Sequence, residues 1–149
     1  DGGLDFRTGD SVNVQTYFDE KIDIHHIFPK KWCVATGIDR RRYDSIINKT
    51  AISAKTNRMI GGNAPSNYLG KLEKSAGIPV GRMDDILASH VIDPSAARAD
   101  AFDTFFAKRE GALLARIEKA MGKPLRTDHQ AAAPDPEEFD DDEDDDNGA

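Results

Sequence analysis

Two histidines stand side by side in the run Asp23-Ile24-His25-His26-Ile27-Phe28-Pro29, and two asparagines follow at Asp44-Ser45-Ile46-Ile47-Asn48-Lys49 and Lys55-Thr56-Asn57-Arg58. These residue types in this order suit the hydrolysis of a phosphodiester. That reaction needs a nucleophilic water, a base to activate it and a cation to stabilise developing charge and the leaving oxygen. Histidine serves as the base because its ordinary pKa, about 6.5, lies close to working pH. Adjacent residues on a strand point to opposite faces, so His25 and His26 should do different jobs, one on a metal and one on the water. Taken singly, each residue has a plainer reading. A histidine on a strand is ordinarily solvated or hydrogen-bonded, and Asn48 alone would be a turn residue. The combination and its order carry the chemistry.

The surrounding pattern predicts the elements that would position these groups. Residues 22–28 are Ile-rich and stopped by Pro29, which reads as a strand. Pro29 suits a helix start, and residues 30–36 can form that helix until Gly37. Residues 39–44 form a basic connector of about one helical turn. Residues 46–52 read as a second strand, and Ser53 as the N-cap of a helix over 54–60 that Gly61-Gly62 ends. A helix from Pro65 towards Gly77 follows. Met83, Ile86, Leu87 and Val91 have the spacing of a buried helical face. One long helix is expected from Pro94 or Ser95 to Met121, with Phe102, Phe105, Phe106, Leu113, Leu114, Ile117 and Met121 as a stripe covering the core. Trp32, Tyr43, Cys33 and His90 read as packing residues, and His129 as inert.

The formal net charge of −7 is unevenly spread. Residues 135–149 hold ten of the 27 acidic residues and none of the 20 basic ones, so residues 1–134 carry +3. A mildly basic body with an acidic tail fits a nucleic-acid partner, weakly. The lone Cys33 allows no internal disulfide and no Cys-x-x-Cys zinc site, which suits a reducing cytoplasm. No apolar run approaches the ~20 residues of a membrane span. The chain opens on Asp1-Gly2-Gly3 rather than methionine, which reads as a piece of a longer protein. The expected organisation is an entry segment over 1–19, one domain over 20–125 and a disordered acidic tail over 126–149. Within the domain, the site falls at about 22–60 and a helical extension at about 65–122.

The His-His-Ile-Phe-Pro run, the Asp44 to Lys49 segment and Asn57-Arg58 resemble the HNH nuclease superfamily. The Asn63-Ala64-Pro65-Ser66 segment and the trailing helices bring the chain closest to the C-terminal nuclease domain of GmrSD-type restriction proteins and of phosphorothioate-sensing phage-defence proteins. The resemblance implies an α+β fold with a ββα-metal motif set in a mainly helical domain. It implies that His26 is the general base and Asn48 the residue that fixes the loop and orients that base. His25 and Asn57 would be ligands of one divalent ion (magnesium, manganese or nickel), with Asp23 adding an oxygen. Lys30, Lys31, Arg40, Arg41, Arg42, Lys49, Lys55 and Arg58 would contact DNA phosphates. The family ordinarily has Asp where this chain has His25.

The activity implied is a metal-dependent DNA endonuclease, nicking or cutting both strands, as the effector of a prokaryotic restriction or anti-phage protein. A nucleotide-dependent sensor region of the same parent protein would supply target recognition, since nothing here resembles a P-loop. The alternative is a catalytically silent nucleic-acid- or partner-binding module of the same fold.

Overall fold

Ile-rich β1 (Ile22–His26) pairs antiparallel with β2 (Lys49–Ser53), and the two form a two-stranded sheet. The computed structural model describes residues 3–11 and 22–125, with only the backbone of Asp23. Val12-Asn13-Val14, the Asp23 side chain, His129 and the acidic tail lie outside the described residues. The register sets His25 opposite Thr50 and His26 opposite Lys49. Between the strands run α1 (Lys30–Ala35), α2 (Arg40–Tyr43) and a single 3-10 turn (Ile46–Asn48). After β2 come α3 (Ala54–Ile60), α4 (Pro65–Ala76), α5 (Val80–Ser89), α6 (Pro94–Arg98) and α7 (Phe102–Met121). The fold is therefore mixed α+β, mostly helical around a small sheet.

Local chemistry accounts for most boundaries. The Ser53 side chain accepts from the Thr56 amide and starts α3, and Gly61 ends it at φ 54, a conformation glycine adopts without a Cβ penalty. Asp39 caps α2 through the Arg41 amide. The core gathers Phe28 from the bend after β1, Ile52 from β2, Ile60 from α3, Tyr68, Leu69 and Leu72 from α4, Met83, Ile86 and Leu87 from α5, and Phe102 and Phe105 from α7. Cys33 is fully buried, its thiol donating to the Phe28 carbonyl at 3.4 Å, and burial pushes its pKa up to about 11. Tyr43 is buried and Trp32 packs against the core.

The pattern misplaces four features. Residues 46–48 form a helical turn instead of strand, because the Ser45 hydroxyl accepts from the Ile47 amide and starts a turn that the 46–48 side chains alone do not signal. The expected single helix over 94–121 is two, broken at Asp100 with φ 52; the Asp100 carboxylate accepts from the Ser66 amide and hydroxyl at the start of α4. Val91 falls beyond the end of α5, at φ 61 and only partly buried. The stripe on α7 covers the core only in its first half: Leu114, Ile117 and Met121 are exposed.

Residues 3–11, expected as an entry segment ahead of the domain, pack into it. Phe6 is buried in the core and the Leu4 amide donates to the Ser89 hydroxyl. Gly3 lies against the His90 ring so closely that a Cβ there would sit 2.5 Å from Cε1. Among the described residues no helix is long and apolar enough to cross a membrane.

Candidate active site

β1 delivers both histidines to the mouth of an open cleft of about 390 Å³. His25, His26, Lys30, Lys31, Asn57 and Arg58 border it, with Pro29, Ile60 and Gly61-Gly62 completing the walls. Pro29 turns the chain into α1, which contributes the lysines, and the Ser53 cap folds α3 back so that Asn57 and Arg58 form the facing wall. Although strand alternation separates the two histidine side chains, both reach this cleft from the strand's end.

Asn48 ties the arrangement together. It is fully buried, accepts from the Phe28 amide at 2.9 Å, and donates to the carbonyls of Phe28 at 2.9 Å and Tyr43 at 3.0 Å. Its own carbonyl accepts from the Ile27 amide at 2.8 Å. One amide side chain thus joins the residues just after the histidines to the loop that returns beneath them. Tyr68 of α4 pins the same segment, its hydroxyl donating to the Ile27 carbonyl at 2.8 Å.

His26 Nε2 lies 2.9 Å from Asp44 Oδ1, with both side chains half-buried. Burial raises the Asp44 carboxyl, but hydrogen bonds from His26 and Arg40 and the charge of Lys49 outweigh it and hold the group below its ordinary value. Asp44 was not among the candidate site residues. Its signal is that it is an acid separated only by Tyr43 from three consecutive arginines.

The basic residues fall into four settings. Lys30, Lys31 and Arg58 are exposed and border the cleft. Arg40 pairs with Asp44 Oδ2 at 3.3 Å and Lys49 lies 3.9 Å from Asp44 Oδ1, so both face the histidine–aspartate pair. Arg42 turns to α7, bound to Asp103 at 2.6 Å and stacked over the rings of Phe102 and Phe106. Exposed Arg41 and Lys55 are not part of the cleft walls.

A buried polar network backs the sheet. The Asp5 carboxylate accepts from the Ser53 amide at 3.1 Å and the Thr56 hydroxyl at 3.0 Å, at the junction from which α3 carries Asn57. Burial raises this carboxyl, and bonds from the amides of Ser53, Arg7 and Thr8 bring it below its ordinary value. Arg109 is 6 % exposed and donates to the carbonyls of His90, Ile46, Ile47 and Lys49, clamping the turn that holds Asn48. Burial pushes the Arg109 guanidinium down to about 10, which leaves it charged at neutral pH. It too escaped the sequence reading, although an arginine seven residues after Phe102 falls on the apolar stripe.

His90 is buried, as its place in an apolar pattern suggests. Its Nε2–H donates to the Leu4 carbonyl at 2.6 Å, and Nδ1 accepts from the hydroxyl of Thr50, the residue opposite His25. Burial, with help from the Arg109 charge, lowers its pKa against smaller raising effects of Leu4 and Asp5. The unfolded chain therefore takes up this proton before the folded one. Stability from His90 is complete above about pH 6.5 and declines as pH falls from there towards the depressed folded value. Thermal melts should show a lower Tm at pH 5.5 than at pH 7.5, with a smaller difference in His90→Gln. Equal pH sensitivity in the variant would remove His90 as the cause.

The fold and the cleft place the chain among mixed α+β proteins with a two-stranded sheet carrying paired histidines. The uncharacterized protein MJ0686 of Methanocaldococcus jannaschii is 33% identical over 97 residues, which cover 60% of this chain and 16% of that protein. The chain thus spans under a fifth of the curated relative it matches. No family model and no solved structure matches it.

Proposed function

We propose that the chain is a metal-dependent DNA endonuclease domain of the HNH type, serving as the cutting part of a larger restriction or anti-phage protein. The observation that carries this reading is the meeting of His25, His26 and Asn57 in one cleft rimmed by Lys30, Lys31 and Arg58. Asn48, buried and bonded on three sides, supports it as the residue that fixes the loop beneath them.

His26 takes a proton from the attacking water. Lys30, Lys31 and Arg58 hold the phosphates of the strand, contacts that position a duplex without reading sequence. His25 and Asn57 offer an imidazole nitrogen and an amide oxygen in the same cleft, a donor pair that fits a divalent ion. When bound, that ion would stabilise charge on the phosphate oxygens and the leaving oxygen. Both donors are neutral, and magnesium prefers oxygen ligands while imidazole suits manganese or nickel. Nicking should therefore be faster in manganese or nickel than in magnesium; activity confined to magnesium would overturn this preference.

A plasmid-nicking assay on the wild-type chain in each metal, with a chelator control, tests the reading. Conversion of supercoiled to open-circular plasmid that the chelator abolishes is the expected result. Binding of DNA without turnover in any metal would favour a silent binding module of the same fold.

A further inference from the structure

We infer that Asp44 is a positioning residue for His26, fixing one tautomer and one orientation of the imidazole so that Nδ1 remains as its proton acceptor. This rests on the nuclease reading above and adds to it a residue that the motif does not assign.

The geometry carries it. Asp44 Oδ1 lies 2.9 Å from His26 Nε2. An ionised carboxylate only accepts hydrogen bonds, so the ring nitrogen facing it bears the proton, and a neutral imidazole then keeps its lone pair on the other nitrogen. The carboxylate itself is held in place. Asp44 ends the α2 turn, its amide bonded to the Arg40 carbonyl at 2.9 Å. The preceding residue, Tyr43, is tied by its carbonyl to Asn48, which also grips Phe28 two residues after His26. Arg40 at 3.3 Å and Lys49 at 3.9 Å, the latter opposite His26 in the strand register, keep Asp44 ionised.

In the reaction, one water proton passes to His26 Nδ1 and the water oxygen bonds to phosphorus. The bond from phosphorus to the leaving sugar oxygen breaks, and that oxygen takes a proton from solvent. The imidazolium formed on His26 then faces the Asp44 carboxylate, so the same contact that sets the tautomer also stabilises the charge. Asparagine at position 44 would offer an N–H₂ group as readily as its oxygen and would no longer dictate which ring nitrogen is protonated.

The test compares wild type, Asp44→Asn and Asp44→Glu in two measurements at neutral pH. One is kcat and KM for plasmid nicking in manganese; the other is the ¹⁵N spectrum of the His26 ring in the metal-free full chain. Asp44→Asn should lose roughly 10- to 100-fold in kcat with KM within about 2-fold, and Asp44→Glu should recover part of the loss. The wild-type ring should show a protonated Nε2 and an unprotonated Nδ1, a pattern that Asp44→Asn scrambles. An active wild type with unchanged kcat in Asp44→Asn, or a change in KM alone, overturns the inference. A wild type inert in every metal overturns the nuclease reading and Asp44's part in catalysis with it. In that case the ¹⁵N spectra still decide whether Asp44 fixes the ring: a tautomer unchanged in Asp44→Asn overturns that half as well.

Discussion

His26→Ala is expected to lower kcat for plasmid nicking by about 10²- to 10⁴-fold, the range spanned by positioned general bases, while leaving KM and the fold nearly unchanged. The reason for the separation is where His26 sits. Its side chain is 26 % exposed at the end of β1, and truncation gives up the hydrogen bond to Asp44 and a loose ring contact with Tyr43 at 6.3 Å. One such bond contributes about 1 kcal/mol net. Asp44 would keep Arg40 and Lys49 as partners, so no carboxylate is stranded. The grip of Asn48 on Phe28 uses backbone atoms and does not pass through the imidazole. Melting curves and nicking rates measured on the same preparations check this. A variant that nicks at the wild-type rate would remove His26 as the base. A variant whose activity falls only in step with its Tm would make His26 a structural residue.

How much of this was legible in the sequence depended on whether the signal was local. The Ser53 cap, the helix start at Pro29 and the Gly61-Gly62 exit each act within a few residues, and each appears where the pattern puts it, although β1 itself ends at His26 rather than at Phe28. The 3-10 turn over Ile46–Asn48 did not, because apolar β-branched residues read as strand when the hydroxyl that starts the turn lies just outside them. The break at Asp100 depends on Ser66, which is remote in sequence, and no periodicity in 94–121 reports that contact. The cleft residues were found because their order along the chain is itself informative. Asp5 was missed for the opposite reason: the partners that give it its place, Ser53 and Thr56, are remote in sequence, and nothing in its own segment signals them. Arg42 shows the limit of reading charge from composition. Its two arginine neighbours are exposed, yet it stacks on Phe102 and Phe106 and pairs with Asp103, which joins α2 to α7.

Arg109→Met should destabilise the protein by about 3 kcal/mol, a shift in Tm on the order of 10 °C. The Ile46 carbonyl also accepts from the Lys49 amide, but carbonyls at the end of a helical turn have few donors within that turn, and this turn closes on the buried Asn48. Arg109 supplies that need from α7, donating to Ile46, Ile47 and Lys49 through one nitrogen and to His90 through Nε. Methionine fills the volume of the stem but removes these donors, and an acceptor left without a partner away from water costs about 1–3 kcal/mol. The turn relaxes to recover some of that cost, and Asn48 and Asp44 both depend on it. Activity should therefore fall further than the unfolded fraction explains, even well below Tm. Arg109→Lys would keep the charge but lose the planar fork, and should recover only part of the stability. Chemical denaturation with nicking assayed in parallel measures both effects. A variant with unchanged Tm would mean that the four carbonyls find other donors. A lower Tm with full activity below it would mean that the clamp supports the fold without setting the site.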